Sequence, residues 1–542
     1  MEEVKRSEVL EIETATPQVS RQSSNEPPPN LWKALRKWPK VLGYTLGLTS
    51  GILLYGFDTS IVSNVSAIPV FQRDYGRQLG DRYIVPSMWM GLWNATTPLG
   101  IMVGAVFAGW LQDRVGRRWS LSISSLASAA GVAMIYTSHL LDDVDSRRGQ
   151  FLAGKLFQGV AIGSLLCTTQ TYMSEVLPPS LRGSVLAFFP VFTLLGQLAG
   201  AVTVFTSLTL PGQKPYTVPM LAQWPFSAVP CIWAIFLPES PVYLLRKKKF
   251  DAAFKAQKRL DTKHMDTQAN IDTLKAFLQA EEERSKFNTS TYKECFIGVN
   301  RKRTLIVILA NNLPQIGGLL LLSDASYFIQ MVGMSAKNAL LFLQLGIGLG
   351  LLANILSMYL LSRIGRRPLI LTTFAIAALL WTGMGIAGIW DGIIPMWYTA
   401  VTMMITVVVI GVGLWPASYA VSAETSSLRL RAKTQGIGWF CGGLGSGIFS
   451  ITLPYTYNKD AGDLRGKAGF IFTFFCLLGL FLCWKYVPEM KNRTAAEIDI
   501  MFEERLPARE FKNWSEPLQI ERIVTIDSTA SEAVLIRPQR DV

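Results

Sequence analysis

The stretch Asp113-Arg114-Val115-Gly116-Arg117-Arg118 returns later in the chain as Ser362-Arg363-Ile364-Gly365-Arg366-Arg367, 249 positions further on. Both copies follow a long apolar stretch and precede another. The charged residues Glu175 and Arg182 return at the same distance as Glu424 and Arg431, and Glu239 returns as Glu489 after 250 positions. The chain therefore consists of two related halves that carry matching charged elements at matching ends.

The composition is that of a chain whose solvent is mostly lipid. Half of the 542 residues are apolar, and 17% are charged, against roughly 25% in soluble domains. Apolar runs near the roughly 20 residues that a helical span needs predict twelve spans, six in each half. They begin near Val41, Pro86, Ser120, Gly149, Ser184, Leu221, Thr304, Asn338, Leu369, Met396, Thr434 and Ala468. Parallel repeats of this kind are a common plan of membrane transporters.

The basic residues collect in alternate loops. They precede the first predicted span (Lys33, Arg36, Lys37, Lys40) and follow the second (Arg114, Arg117, Arg118), the sixth (residues 246–249) and the eighth (Arg363, Arg366, Arg367). The net charge of +13 thus follows the positive-inside rule and does not indicate a nucleic-acid partner. We expect the lipid bilayer as partner, with both termini and the central loop in the cytosol.

The fold class that follows is an all-α integral membrane protein with twelve transmembrane helices in two six-helix halves. We expect a disordered cytosolic tail over 1–40, the N-terminal half over 41–240, the C-terminal half over 304–488 and a cytosolic tail over 489–542. Helical spacing of apolar residues predicts amphipathic helices over Phe250–Leu260 and Ile271–Glu282 in a cytosolic linker, 241–303, and another over Arg493–Phe502.

The residue inventory argues against an enzyme. The six cysteines show no C-x-x-C spacing, and the only histidines, His139 and His264, lie outside the predicted spans. No nucleophile and base set or metal-ligand cluster is present in the sequence. We therefore expect neither a metal nor a cofactor.

The repeated charged residues predict a gate at the cytosolic face. Carboxylates and guanidiniums at helix ends can link the halves when a central cavity faces outward and release them when it faces inward. The predicted gate residues are Gly109, Asp113, Arg114, Gly116, Arg117, Arg118, Glu175, Arg182, Glu239, Arg363, Gly365, Arg366, Arg367, Glu424, Arg431 and Glu489. The alternative is a basic loop that only sets topology.

These motifs and several others resemble the sugar porters of the major facilitator superfamily, specifically the fungal α-glucoside (maltose) permeases, from about Leu42 to Phe511. The further motifs are Tyr55-Gly56-Phe57-Asp58, Pro69-x-Phe71-Gln72-x-x-Tyr75-Gly76, Ser174-Glu175, Gln223-Trp224, Pro238-Glu239-Ser240-Pro241, Leu428-Arg429-Leu430-Arg431 and Pro488-Glu489. The resemblance implies the major facilitator fold, alternating access around a central cavity, and no cofactor. It also implies a plasma-membrane carrier that we expect to act as a monomer.

Two ionisable residues lie inside predicted spans, where a charge is costly and usually faces a cavity or a partner. Asp58 and Lys155 should lie at similar depth, because the first span runs outward and the fourth inward. The resemblance implies a role in proton coupling, and a static ion pair is the alternative. The family's other coupling positions hold Tyr55, Ile101 and Trp439 here, so proton symport and facilitated diffusion both stay open.

The predicted substrate site combines amides with aromatic rings. Asn311, Asn312 and Gln315 lie within the seventh span, where amides offer donors and acceptors to hydroxyl groups. Trp415, Tyr419 and Gln197 complete the predicted substrate-binding set. The alternatives are amides that join helices and rings that only pack. We expect Asp324 to face the extracellular vestibule.

The leading functional hypothesis is a secondary transporter of a sugar, α-glucoside or hexose, or of a sugar-like polyol. The altered coupling and sugar positions leave room for a carrier recruited to another small metabolite, such as an exported secondary product, because fold resemblance does not fix a substrate. A non-transporting nutrient sensor is the alternative from another class.

Overall fold

The computed structural model describes residues 38–514 apart from 81, 178–188, 263–264, 288–290, 428–429, 492 and 494. The N-terminal half contains α1 (Pro39–Ser66), α2 (Pro69–Tyr75), α3 (Ser87–Val115), α4 (Arg117–Thr137), α5 (Val144–Val176), α6 (Phe189–Ser207), α7 (Lys214–Leu221) and α8 (Gln223–Phe236). A short antiparallel hairpin of β1 (Arg77–Leu79) and β2 (Arg82–Ile84), in which Arg77 pairs with Ile84, separates α2 from α3.

The linker contains α9 (Pro241–Arg246), α10 (Phe250–Leu260) and α11 (Thr267–Phe287). The C-terminal half contains α12 (Gly298–Ile316), α13 (Leu319–Ser323), α14 (Ala325–Val332), α15 (Ala336–Arg363), α16 (Arg366–Ala387), α17 (Ile393–Val412), α18 (Leu414–Thr425), α19 (Arg431–Tyr457) and α20 (Ala468–Tyr486). Helix α21 (Ala495–Glu503) follows. Helix α10 has the predicted bounds, and the predicted tails lie outside the described residues over 1–37 and 515–542.

The two halves repeat the same spacing in the structure. The first residues of α3 and α15, of α4 and α16, and of α5 and α17 are each 249 positions apart. Within the N-terminal half α5 packs on α3 and α4, and within the C-terminal half α16 packs on α20 and α12 on α19. Contacts between the halves run mainly from α3 to α19 and from α6 to α15. The chain is thus one bundle of two similar halves.

Within the described residues, ten helical segments are long and apolar enough to cross a membrane, and the pair α1 and α2, bent by 82°, makes eleven. The remaining predicted span, near Thr304, corresponds to α12, α13 and α14. It is interrupted at Gly317 and Gly318, where Gly318 adopts a left-handed φ of +98°. The continuous seventh span that the sequence predicts is therefore broken at its middle.

The sixth span begins earlier than predicted. It starts at Lys214 instead of near Leu221 and continues from α7 into α8. Pro215 lies in the first turn of α7, where a proline costs no helical hydrogen bond.

Small residues allow the close packing of α3 against α5. A side chain at Gly100 would place its Cβ 2.8 Å from the backbone carbon of Gly159, and one at Gly163 would lie 2.6 Å from the Cα of Ile101. Membrane helices without a hydrophobic driving force between them approach through such residues.

We call the end of the bundle that carries Arg117 and Arg366 the motif end, and the opposite end, which carries Ser63 and Ser326, the distal end.

Candidate transport site

The repeated motif builds a charged cluster at the motif end of the N-terminal half. Glu239 lies at the N-terminus of α4, where its Oε1 accepts a hydrogen bond from the backbone N–H of Arg117 at 2.9 Å. The N-terminus of a helix favours an anion. Gly116 precedes this turn with a φ of +94°, and a side chain there would collide with the Glu239 carboxylate. Burial raises the pKa of Glu239, and the backbone N–H groups of Ser240, Arg117 and Arg118 oppose that shift.

The Arg117 guanidinium binds a second carboxylate. Its Nε and Nη2 donate to the two oxygens of Glu175 at 3.1 and 2.8 Å, and its Nη1 donates to the carbonyl of Gln112 at 3.1 Å. The Arg117 side chain is only 3% exposed. A bidentate pair of this kind fixes geometry as well as charge.

The C-terminal half repeats the cluster almost atom for atom. Arg366 donates from Nε and Nη2 to Glu424 at 3.1 and 2.7 Å, and Glu489 accepts from the backbone N–H of Arg366 at 3.2 Å. Arg118 and Arg367 donate to the carbonyls of Ile235 and Trp484, which are again 249 positions apart. Each cluster lies within its own half.

The remaining predicted gate residues lie around these clusters. Asp113, Arg114, Arg363 and Arg431 are exposed at the motif end, and Arg114 lies over the ring of Trp110. Arg182 lies outside the described residues. A side chain at Gly109 would meet no atom within 4 Å of the described structure, so no close packing requires a glycine at this predicted gate position.

A cavity of about 760 Å³ lies between the halves. This volume falls in the range of roughly 300–1,000 Å³ that is typical of sites for small molecules. Most of its wall is apolar or aromatic, and its charged lining residues within the described chain are Asp58 and Asp324.

Five of the six predicted substrate-binding residues line this cavity, namely Gln197, Asn311, Gln315, Trp415 and Tyr419. The prediction for Asn312 is wrong. Its amide donates to the carbonyl of Ile308, and its Oδ1 packs against Gly445 of α19. Successive residues of an α-helix point about 100° apart around its axis, so Asn312 points away from the cavity that Asn311 lines.

The amides differ in how many partners they already have. Asn311 donates to the carbonyl of Val307 at 2.9 Å and to the hydroxyl of Ser422 at 2.8 Å, so both of its N–H groups are used within the protein. Gln315 Oε1 and Trp415 Nε1 are buried without a hydrogen-bond partner among the described residues. Gln197 donates to the hydroxyl of Thr59 at 3.3 Å. Gln315 Oε1 is thus a buried acceptor of the cavity wall with unused hydrogen-bonding capacity.

The buried pair predicted from the first and fourth spans is present. Lys155 Nζ lies 2.6 Å from Asp58 Oδ1, and both side chains are fully buried. Thr97 donates to the other carboxylate oxygen of Asp58 at 2.7 Å. Asp58 belongs to the cavity wall, and Lys155 lies behind it. The carboxylate therefore separates the ammonium group from the cavity.

The halves are joined at the distal end by a set of hydrogen bonds that we call the distal seal. It consists of Ser63 with Ser326, Asn64 with Ser326, Gln72 with Gln330, the carbonyl of Ala67 with Gln330, and Asn94 with Asp324. Other distal bonds between the halves join Val85 to Asn458, Ala201 to Gln344 and Ser87 to Asp460. Every hydrogen bond between the halves that joins described residues lies at this end. The cavity is closed toward the distal end.

Sequence reasoning missed Asn94 and placed Asp324 wrongly. Asp324 does not face a vestibule; it is 6% exposed, lines the cavity and accepts from Asn94 Nδ2 at 2.9 Å. The interruption at Gly318 and the turn at Asp324 itself redirect the chain after α12. The only sequence feature that could have indicated a role for Asn94 was its polar side chain within the apolar stretch of α3.

The fold and this site define a membrane transporter of the major facilitator type. The family model described as "Sugar (and other) transporter" matches residues 45–502, so the chain belongs to that family. The family comprises transporters, which confirms that the chain is not an enzyme.

Two curated relatives and one solved structure illustrate the similarity. The chain is 30% identical over 476 residues to the MFS transporter fmqE of Aspergillus fumigatus, which covers 85% of each chain. It is 27% identical to the general alpha-glucoside permease of Saccharomyces cerevisiae, covering 93% of this chain and 82% of the relative. The inward-open structure of the xylose transporter XylE from E. coli superposes with a TM-score of 0.69 at 18% identity, covering 85% of this chain and 99% of that one. That last likeness concerns the fold alone.

Proposed function

We propose that this protein is a secondary carrier that moves a sugar or a sugar-like polyol across the plasma membrane by alternating access. The observation that carries the proposal is the cavity between two homologous halves whose mutual hydrogen bonds all lie on one side of it among the described residues. A bundle closed at one end in this way can rock to close the other. Relatives that bear the names general alpha-glucoside permease and maltose permease support a sugar as the substrate.

The motif end is the cytosolic end in this proposal, with both termini in the cytosol. The basic loops support this orientation through the positive-inside rule. The conformation would then face inward, and each arginine cluster is satisfied within its own half. Asp113 lies 3.6 Å from Arg117 Nη1, and the exposed charges of Arg114, Arg363 and Arg431 lie where they would meet the other half when the motif end closes. The cavity lies within one chain, which supports a monomer as the transporting unit.

Asp58 is the residue that we assign to proton coupling, with Lys155 as its partner. Asp58 is the carboxylate that lies between the cavity and a buried ammonium group. Protonation of Asp58 would release Lys155 and leave an uncompensated buried charge, which is costly in a membrane. Substrate binding and proton binding would thereby act on the same wall of the cavity.

The test is an uptake panel in cells that lack their own sugar carriers. Radiolabelled maltose, methyl α-D-glucopyranoside, glucose, polyols and an aromatic metabolite are offered with and without a protonophore. We expect uptake of at least one carbohydrate and loss of its accumulation, but not of its equilibration, with the protonophore. Protonophore-insensitive carbohydrate uptake would support facilitated diffusion and remove the coupling role of Asp58. Uptake of the aromatic metabolite without any carbohydrate would replace the sugar hypothesis, and no uptake with normal surface expression would favour a sensor.

A further inference from the structure

The cavity wall carries two sets of side chains of different chemistry. One set is polar and includes Gln197, Gln315 and Asn94. Gln315 Oε1 is buried there and accepts no hydrogen bond from the described residues. This zone, which we call the head zone, suits a group rich in hydroxyls, because each hydroxyl can both donate and accept.

The second set is aromatic and comes from both halves. Tyr419 stacks on Trp439 with ring centroids 5.4 Å apart and an angle of 19°. On the facing half, Tyr55 lies 6.2 Å from Phe189. Phe440 joins them on α19, and all five rings line the cavity. We call this set the aromatic zone.

Two of these rings are incompletely covered by the protein. Trp439 and Phe440 are 52% and 55% exposed. Both belong to the cavity wall. Aromatic rings attract another ring in a stacked or edge-on arrangement beyond the effect of buried area alone. The exposed faces therefore offer a surface for a flat apolar group.

The two zones are separated along the transport path. Helix α6 runs from the motif end toward the distal end, and Phe189 precedes Gln197 by eight residues, which corresponds to about 12 Å at 1.5 Å per residue. Helix α19 runs in the same direction and carries Trp439 before Ser450, whose side chains both line the cavity. A solute that contacts both Gln197 and the ring of Phe189 must be longer than one pyranose ring.

The charges of the cavity wall limit the class of solute further. Within the described residues, the only charged lining groups are Asp58 and Asp324, both acidic and both outside the aromatic zone. The charged groups of the wall therefore disfavour an anionic solute. We infer, on the basis of the proposed function, that the transported solute is an aryl glycoside without an acidic group, with its sugar in the head zone and its aromatic aglycone against Trp439.

The experiment compares two glucosides that share a sugar and differ in the aglycone. Uptake of p-nitrophenyl α-D-glucopyranoside and of methyl α-D-glucopyranoside is measured over a range of concentrations for the full chain in carrier-deficient cells. We expect a half-saturation concentration for the aryl glucoside that is lower by roughly tenfold, the upper range for a single aromatic contact. Trp439→Ala should abolish this difference by raising the value for the aryl glucoside more than the value for the methyl glucoside, and Trp439→Phe should retain part of it.

Trp390→Ala is the matched control. Trp390 is as exposed as Trp439, at 62%, but it does not line the cavity, so the difference between the two glucosides should remain. Phe440→Ala repeats the test if Trp439→Ala fails to reach the membrane. Equal half-saturation values for both glucosides in the unmodified chain would overturn the inference and leave the proposed function intact. Failure of both glucosides, maltose and glucose to enter would overturn the proposed function itself.

Discussion

Replacing Asn94 by alanine should shift the conformational equilibrium away from the distally closed state. Asn94 Nδ2 donates a hydrogen bond to the Asp324 carboxylate in the other half of the bundle, with an N to O distance of 2.9 Å. Asp324 is 6% exposed. The variant Asn94→Ala leaves a buried acceptor without that donor only while the distal end is closed. Opening the distal end returns Asp324 to water, so the penalty falls on one conformation.

The size of the shift follows from that penalty. A buried acceptor that loses its donor costs about 1–3 kcal/mol. A difference of this size between two conformations changes their ratio by roughly 5- to 150-fold. The remaining bonds of the distal seal oppose the shift, but they are present in both the variant and the unmodified chain.

Hydrogen–deuterium exchange of the purified protein in lipid nanodiscs measures the outcome. Peptides over 60–67 and 325–332 should exchange faster in Asn94→Ala, and peptides around Arg117 and Arg366 should exchange more slowly as the motif end closes. Asn354→Ala is the matched control, because Asn354 is a buried amide in the cavity wall that donates to its own helix at the carbonyl of Gly350. Unchanged exchange at both ends in Asn94→Ala would refute the argument that this bond holds the distal end closed.

Three further predictions concern the charged groups. Gly365→Ala should lower the free energy of unfolding by about 1–3 kcal/mol, because Gly365 has a φ of +106° and a Cβ there would lie 2.7 Å from Glu489 Oε2. The control Gly109→Ala, whose Cβ meets open space, should cause no loss of melting temperature. Equal losses in the two variants would contradict the reasoning. Arg117→Lys should lower the melting temperature more than Arg366→Lys. Lysine cannot reproduce the bidentate pair in either half, but the Arg117 side chain is 3% exposed against 22% for Arg366. A larger loss in Arg366→Lys would be evidence against this argument. Lys155→Met should destabilise the protein by roughly 3–5 kcal/mol, because it leaves Asp58 unpaired, and adding Asp58→Asn should restore much of that loss. If the pair couples protons, the double variant should equilibrate substrate without accumulating it, and normal accumulation would show a static pair.

The motif-end clusters were predictable because their residue types and spacing occur twice. Two arginines, a glutamate and a glycine recur after 249 positions and a second glutamate after 250. This repetition indicates a shared geometry before any contact is known, and the structure shows the same bonds at Arg117 and Arg366. The amides of the cavity were predictable for a related reason, since polar residues in apolar spans rarely face lipid.

The distal seal was not predictable from the sequence. Asn94 and Asp324 are 230 positions apart, and neither belongs to a repeated motif that would connect them. The position of Asp324 depends on the interruption at Gly318, whose left-handed backbone ends the helical period on which the sequence argument relied. Local patterns thus specify which helices form, whereas the pairing of single polar residues between helices depends on packing.

The comparison of the two halves bears on the role of the buried ion pair. The position 249 residues after Lys155 is Met404, an uncharged residue of α17 that lies 3.8 Å from the Cβ position of Gly346. Gly346 itself follows Thr97, the hydrogen-bond partner of Asp58, by the same 249 positions. Because the spans around these residues begin at matching positions in both halves, the same helix arrangement forms with a thioether and a glycine where the N-terminal half has a lysine and a threonine. Packing alone therefore does not require a buried charge at this place, and desolvating Lys155 and Asp58 costs free energy that an apolar pair would avoid. A requirement other than folding accounts better for the pair, and proton coupling at the cavity wall is the requirement that its position beside the cavity supports.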